Sequence, residues 1–275
     1  MKLRFSARGV VASTAAAALV VGGFMMPAHG AARSTVVIHE TNAFTSLNTA
    51  TPDTNLTTNT DIGYMTGMGF NYYDDKKTLV ANPVLGSYKI VKNTPKDFRV
   101  QWTVNKGPVW SDGTPIDGRD MLLGHVLASS EYSKAAGLGD PADDKNPPAF
   151  NSISYGGTYD SHIVGLPVLS ADNMSVTLQF DQPIPNWELF GPGISPAYTV
   201  LEIANGKKGL QSVADNNAAK DAVVKAIQGK DKATLTKMAK VWNDAYNIQT
   251  IDSSTNPLLL VSNGAYLVKS AVKDQ

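Results

Sequence analysis

An α/β or α+β fold is the class this sequence predicts, and three observations predict it. Two runs, FRVQWTV (98–104) and MSVTLQF (174–180), alternate apolar and polar residues with the period of a half-buried strand. Residues 211–228 and 232–246 carry apolar side chains at helical spacing. A capped helix start at Asp117 lies between the two strand runs. The order is strand, mixed region, strands, helix, strands, two helices, strand, with no internal repeat.

STVVIHE (34–40) is a β-branched run and predicts a buried strand. The following twenty residues, 41–60, are dense in Thr and Asn. Their side chains compete for backbone hydrogen bonds, so a long non-helical loop is expected, anchored by Phe44 and Leu47. Residues 61–73 predict a short helix running into a strand. In 98–104 the inward set is Phe98, Val100, Trp102 and Val104; in 174–180 it is Met174, Val176, Leu178 and Phe180. GLGDPADDKNPPAF (137–150) is a loop by composition. Asp231 caps the helix over 232–246, and NGAYLVKSAV (263–272) predicts a turn into a strand.

The first thirty residues have another logic. Lys2, Arg4 and Arg8 precede an apolar, Ala-rich run from Val10 to Met26, and a small-x-small pattern ends at Gly30. That is the layout of a secretory signal peptide cleaved near Gly30, and it predicts an exported protein, periplasmic or extracellular. Removal of the three basic residues takes 24 Lys+Arg to 21 against 24 Asp+Glu, a charge of −3. No basic footprint for nucleic acid remains.

The 275 residues contain no cysteine, which excludes disulfides, thiolate metal sites and a lipidated amino-terminal cysteine. No G-x-S-x-G string occurs; GISPA (193–197) lacks the second glycine of a nucleophile elbow. His39, His125 and His162 show no H-E-x-x-H spacing, and His125 is expected as a core histidine. Asp140, Asp143, Asp144 and Asn146 form one acidic loop whose spacing does not match a calcium-binding loop. A pair of carboxylates for glycoside hydrolysis is neither marked nor excluded by spacing.

The string WSDGTPIDGRDML (110–122) is the most informative. Asp112-Gly113 supplies a tight turn, and Thr114-Pro115 keeps the chain extended. Asp117 caps a helix whose first turn carries Asp120, where the dipole favours an acid. By physics alone this is a strand-turn-helix corner.

As a string, Trp110-Ser111-Asp112-Gly113-Thr114-Pro115 with Asp120 resembles the signature of the extracellular solute-binding proteins of ABC transporters, family 5, the oligopeptide, dipeptide and nickel-binding class. The strand before it, the segment SADNMSVTLQFDQPIPNWELF (170–190) and SNGAYLVKS (262–270) are similar to that family's elements in the same order. Pro196-Ala197-Tyr198 resembles a further element, with Tyr where His is usual.

The resemblance implies an α/β fold, a periplasmic-binding-protein-like lobe of type II with a mixed sheet flanked by helices. Residues 31–275 would be the N-terminal portion of the solute-binding domain, its first lobe with a strand-rich subdomain. The second lobe, which in the family follows the Gly-x-Tyr strand, is missing, so a C-terminally truncated chain is expected. The implied activity is binding, most of all of peptides, for delivery to the membrane permease of an ABC importer. It involves no enzyme chemistry and no cofactor, and a monomer is expected. The implied ligand-facing residues are Glu40, Thr41 and Asn42 at the end of the first strand, with Trp110 and Tyr266. Two other classes stay open on the residues: a truncated secreted structural or interaction domain without ligand binding, and a secreted hydrolase.

Overall fold

In the computed structural model the described residues are 35–273, so the signal peptide expected over 1–30 lies outside them. No helix among the described residues is long and apolar enough to cross a membrane.

Helix α1 (Thr57–Thr66) is followed by a small hairpin of β1 (Asn71–Tyr73) and β2 (Leu79–Ala81). The main sheet has β3 (Gly86–Thr94), β4 (Asp97–Val104), β5 (Val168–Leu169) and β6 (Ser175–Phe180) in the order β3-β4-β6-β5. Every pairing among the described residues is antiparallel, so the sheet is not mixed in strand direction as the resemblance implied, with Tyr88 opposite Trp102 and Trp102 opposite Val176. The alternation read from sequence sets the register: Phe98, Val100, Trp102 and Val104 are at most 2% exposed, as are Val176, Leu178 and Phe180.

The helices are α2 (Gly118–Val126), α3 (Ser130–Ala135), α4 (Thr158–His162), α5 (Ala197–Ala204), α6 (Val213–Gln228) and α7 (Lys232–Lys240). Helix α2 is buried on all sides, between the sheet and the pair α5 and α6. That fits a helix with Met121, Leu122, Leu123 and Val126 in one run. Asp231 caps α7 as expected, accepting from the N–H groups of Ala233 and Thr234, and a π-helical turn (Val241–Ala245) extends that helix.

Three expectations need correction. Residues 35–40 form no strand. Val36, Val37 and Ile38 are 77%, 61% and 56% exposed, because no strand lies beside them among the described residues to complete a ladder. Residues 263–272 form no strand either, beyond one bridge between Ile251 and Ala271. The Thr/Asn loop ends earlier than its composition predicts, since α1 begins at Thr57. There the polar side chains find partners outside the helix: Thr58 Oγ1 donates to the carbonyl of Asn42, and Asn59 Oδ1 accepts from the N–H groups of Thr45 and Ser46. Phe44 and Ile62 close a small second core with Ile251, Val268 and Ala271.

Candidate functional site

The corner at 110–122 folds as its residues dictate. Gly113 adopts φ +90°, and the N–H of Trp110 donates to the carbonyl of Thr114 at 2.8 Å. Asp117 accepts from the N–H of Arg119, and Asp120 accepts back from the N–H of Asp117, a capping box. Trp110 is 2% exposed and its indole N–H donates to Asp120 at 3.2 Å. The structure therefore places Trp110 in the core, not on a surface that a ligand could reach.

Behind the corner lies a buried polar network. Lys220 of α6 donates to Asp120 and to the carbonyl of Pro115, both at 2.6 Å. Burial pushes the Asp120 carboxyl up, and the Lys220 ammonium opposes that rise. Arg119 bonds Asp117, Asp221 and Asn217, while Asp112 accepts from the Tyr198 hydroxyl at 2.7 Å and from Asn216 at 3.1 Å. Glu202 of α5 is 5% exposed, and its Oε2 has no hydrogen-bond partner. Burial, with Asp112 and Asp215 reinforcing it and Lys207 opposing, lifts its pKa to about 7. His125 is fully buried with Nδ1 2.9 Å from the Tyr159 hydroxyl, and burial lowers its pKa to about 3. These groups are saturated or enclosed, and they build the scaffold. The carboxylates of Asp140 and Asp143 cap their own loop, accepting from the N–H groups of Ala142 and Lys145. Among the described residues no cluster of His, Asp and Glu is placed to hold a metal ion.

The scaffold presents one aromatic hollow. It has a volume of about 300 Å³ and is formed by Tyr64 in the last turn of α1, residues 70–73 and Leu79 of the small hairpin, Trp102 of β4, and Glu188, Leu189, Gly191 and Pro192. Three of its tyrosines are turned to solvent: Tyr64 is 64% exposed, Tyr72 42% and Tyr73 54%. Phe70 and Trp102 form its floor, packed edge to face at 5.1 Å. Opposite, the turn Trp187–Leu189 is launched from Asn186 in a left-handed conformation at φ 53°. Trp187 stacks edge-on against Tyr88, and the carbonyl of Glu188 accepts from Asn71 Nδ2 at 2.7 Å. Tyr88 donates to the other end of that amide, Asn71 Oδ1, at 2.6 Å. The Tyr88 phenol is pushed up by burial and then by the charge of Glu188. Gly191 admits the chain at this point, since a Cβ there would lie 2.7 Å from the indole of Trp102.

The sequence-predicted residues fall at the two ends of α1. Glu40, Thr41 and Asn42 are exposed, and the carbonyl of Asn42 receives Thr58 at the start of the helix. Tyr266 is half-buried at the far end, its N–H donating to the carbonyl of Met65, next to Tyr64 of the hollow. A helix of this length separates the two groups by about 15 Å. The corner reaches the hollow through the same segment. Ser111 and Ser262 bond reciprocally, Asn263 bonds both backbone groups of Met68, and the N–H of Gly264 donates to Thr66. Sequence reasoning singled out no residue of the hollow's rim other than its neighbour Tyr266. The available signal was the tyrosine pair in GFNYYDD with no apolar partner in period.

The sequence matches no protein-family model and no curated protein. Among solved structures it is similar to a periplasmic EDTA-binding protein, EppA, at TM-score 0.53 and 17% identity, over 86% of this chain and 33% of that one. The oligopeptide-binding protein from Thermus thermophilus, solved with a pentapeptide, aligns at TM-score 0.45 and 14% identity, over 79% of this chain and 31% of that one. The murein tripeptide binding protein of Escherichia coli aligns at TM-score 0.34 and 16% identity, over 55% of this chain and 29% of that one. The chain thus spans about a third of the length of the solved proteins it matches. Sheets covered by helices, arranged as in part of EppA, give this chain an α/β, periplasmic-binding-protein-like fold.

Proposed function

We propose that this chain is an extracytoplasmic solute-binding component of an ABC importer, binding short peptides for delivery to a membrane permease without chemistry on them. The observation that carries the reading is the aromatic hollow, open to solvent on a rigid α/β scaffold and of a size at the low end for small-molecule sites. The signature at Trp110–Pro115, here a structural corner tied to the hollow's edge, supports the peptide class. On this reading residues 31–275 belong to the first lobe, and residues 1–30 direct export. Tyr266 borders the ligand, and Glu40, Thr41 and Asn42 face it from the other end of α1. The protein acts as a monomer without cofactor or nucleic acid.

The exposed run Val36-Val37-Ile38 favours a second reading, a secreted interaction domain that pairs this edge with another chain. One experiment separates the two. Thermal unfolding of the purified chain is followed with and without a mixed short-peptide pool. A ligand at about a hundred times its dissociation constant adds roughly 2.7 kcal/mol, on the order of 5–10 °C for this size. A shift of that size supports the receptor. A cooperative transition that does not move sinks it in favour of the interaction domain.

A further inference from the structure

We propose that the hollow selects ligands bearing a cationic side chain, a lysine or arginine of a short peptide, seated on the tyrosine faces with its charge toward Glu188. The inference rests on the solute-binding reading and names the ligand class of the same site.

Three observations carry it. First, the lining holds one acidic residue, Glu188, and no Lys, Arg or His, so the site's formal charge is single and negative. Second, that carboxylate is uncommitted. Among the described residues no hydrogen bond or ion pair engages it, although its backbone is fixed by Asn71 and by Trp187 packed on Tyr88. Its charge is felt locally, because it helps raise the Tyr88 phenol. A held backbone with a free carboxylate is a recognition group awaiting a counter-charge. The third observation is the set of exposed phenol rings, Tyr64, Tyr72 and Tyr73, too solvent-facing to serve the core. An aromatic face attracts a cation through its quadrupole. A lysine or arginine also has the apolar stem to cover those faces while its head reaches the acid. An aliphatic peptide would use the rings and offer Glu188 only its terminal ammonium, and a peptide with acidic side chains would be repelled.

Binding of trilysine, trialanine and triglutamate to the purified chain tests this by titration calorimetry. Trilysine is expected to bind about 10-fold more tightly than trialanine, with triglutamate weakest. Glu188→Gln should abolish most of the preference for trilysine over trialanine. The amide keeps the side-chain shape and the bond from Asn71 is to the main chain, so its melting temperature without peptide should match the wild type. Tyr72→Ala should reduce the same preference. Asp144→Asn, an exposed acid in the 137–150 loop, should leave it intact and so exclude general charge attraction. Equal affinity for all three peptides, or a preference that survives Glu188→Gln, overturns the inference while peptide binding stands. Binding of none of the three in the wild type overturns the inference together with the function it rests on.

Discussion

The ammonium of Lys220 and the carboxylate of Asp120 meet at 2.6 Å with neither side chain exposed to solvent. The pair joins α6 to the first turn of α2, so an interaction between residues a hundred positions apart closes the corner at 110–122. Asp120 accepts further from Trp110, the N–H of Asp117 and the N–H of Ala197, which accounts for its burial as a charged group.

Removing one partner should therefore be severe. Lys220→Met leaves a buried carboxylate without its counter-charge and is expected to cost about 3–5 kcal/mol, read by urea unfolding. The double change Asp120→Asn, Lys220→Met should recover a large part of that loss. A double variant no more stable than the single would show that packing, not charge, governs the site.

Gly124 on α2 tests the contact between main chains. A Cβ there would lie 2.0 Å from the carbonyl oxygen of Gly193, and that neighbour is backbone, which cannot swing away. Gly124→Ala is expected to lower stability by about 1–3 kcal/mol. Gly209→Ala meets open space and should stay within about 0.5 kcal/mol of wild type in the same measurement.

Glu202 makes stability fall as pH rises. Its folded pKa of about 7 exceeds the ordinary 4.5, so the folded state binds more protons than the unfolded one between those values. The stability present below pH 4.5 is lost as pH climbs toward 7. His125 acts in the opposite sense. Its folded pKa is depressed from 6.5 to about 3, so stability drops as pH falls through that window. Comparing melting temperatures of wild type and Glu202→Gln at about pH 5 and about pH 8, either side of the raised pKa, isolates the first effect. The variant should gain on the wild type at the higher pH, and an unchanged difference would contradict the assignment.

Residues 35–40 form no backbone hydrogen bond among the described residues. Their amides should exchange with solvent as fast as those of an unstructured peptide, whereas the amides of β4 should be strongly protected. On the second reading, Val37→Lys should suppress pairing of this segment with another chain without lowering the melting temperature, because a charge in an exposed β-branched run opposes strand pairing. Slow exchange over 36–38 would mean that this segment is paired in solution.

The parts of the fold legible in sequence are those set by local chemistry. Alternation fixed which face of 98–104 and 176–180 is buried, though Met174, expected inward, is only partly buried while Ser175 is buried, and Asp117, Asp120 and Asp231 announced their caps. Residues 34–40 and 263–272 have equally good strand composition, yet a strand is a relation between two segments, and composition cannot supply the neighbour. The helix starting at Thr57 was hidden for the same reason, since the partners of Thr58 and Asn59 lie a dozen or more residues upstream. The hollow was least legible. Its walls come from 64–79, from Trp102 and from 188–192, and no periodicity links an exposed tyrosine to an acid more than a hundred residues away. Trp110 misled because an indole in a signature string serves equally well as core, and here its N–H is spent on Asp120.

The wall that carries Glu188 is clamped along its length. Trp187 packs between aromatic rings, Gly191 lies on Trp102, and the N–H groups of Ser195 and Ala197 both reach Asp120. Position 188 itself is held only through its main chain, so its side chain can be exchanged without moving the wall. On the proposed reading of the hollow as a ligand site, descendants of this sequence are thereby free to retune what it accepts by single substitutions at one address, while the corner keeps that address fixed.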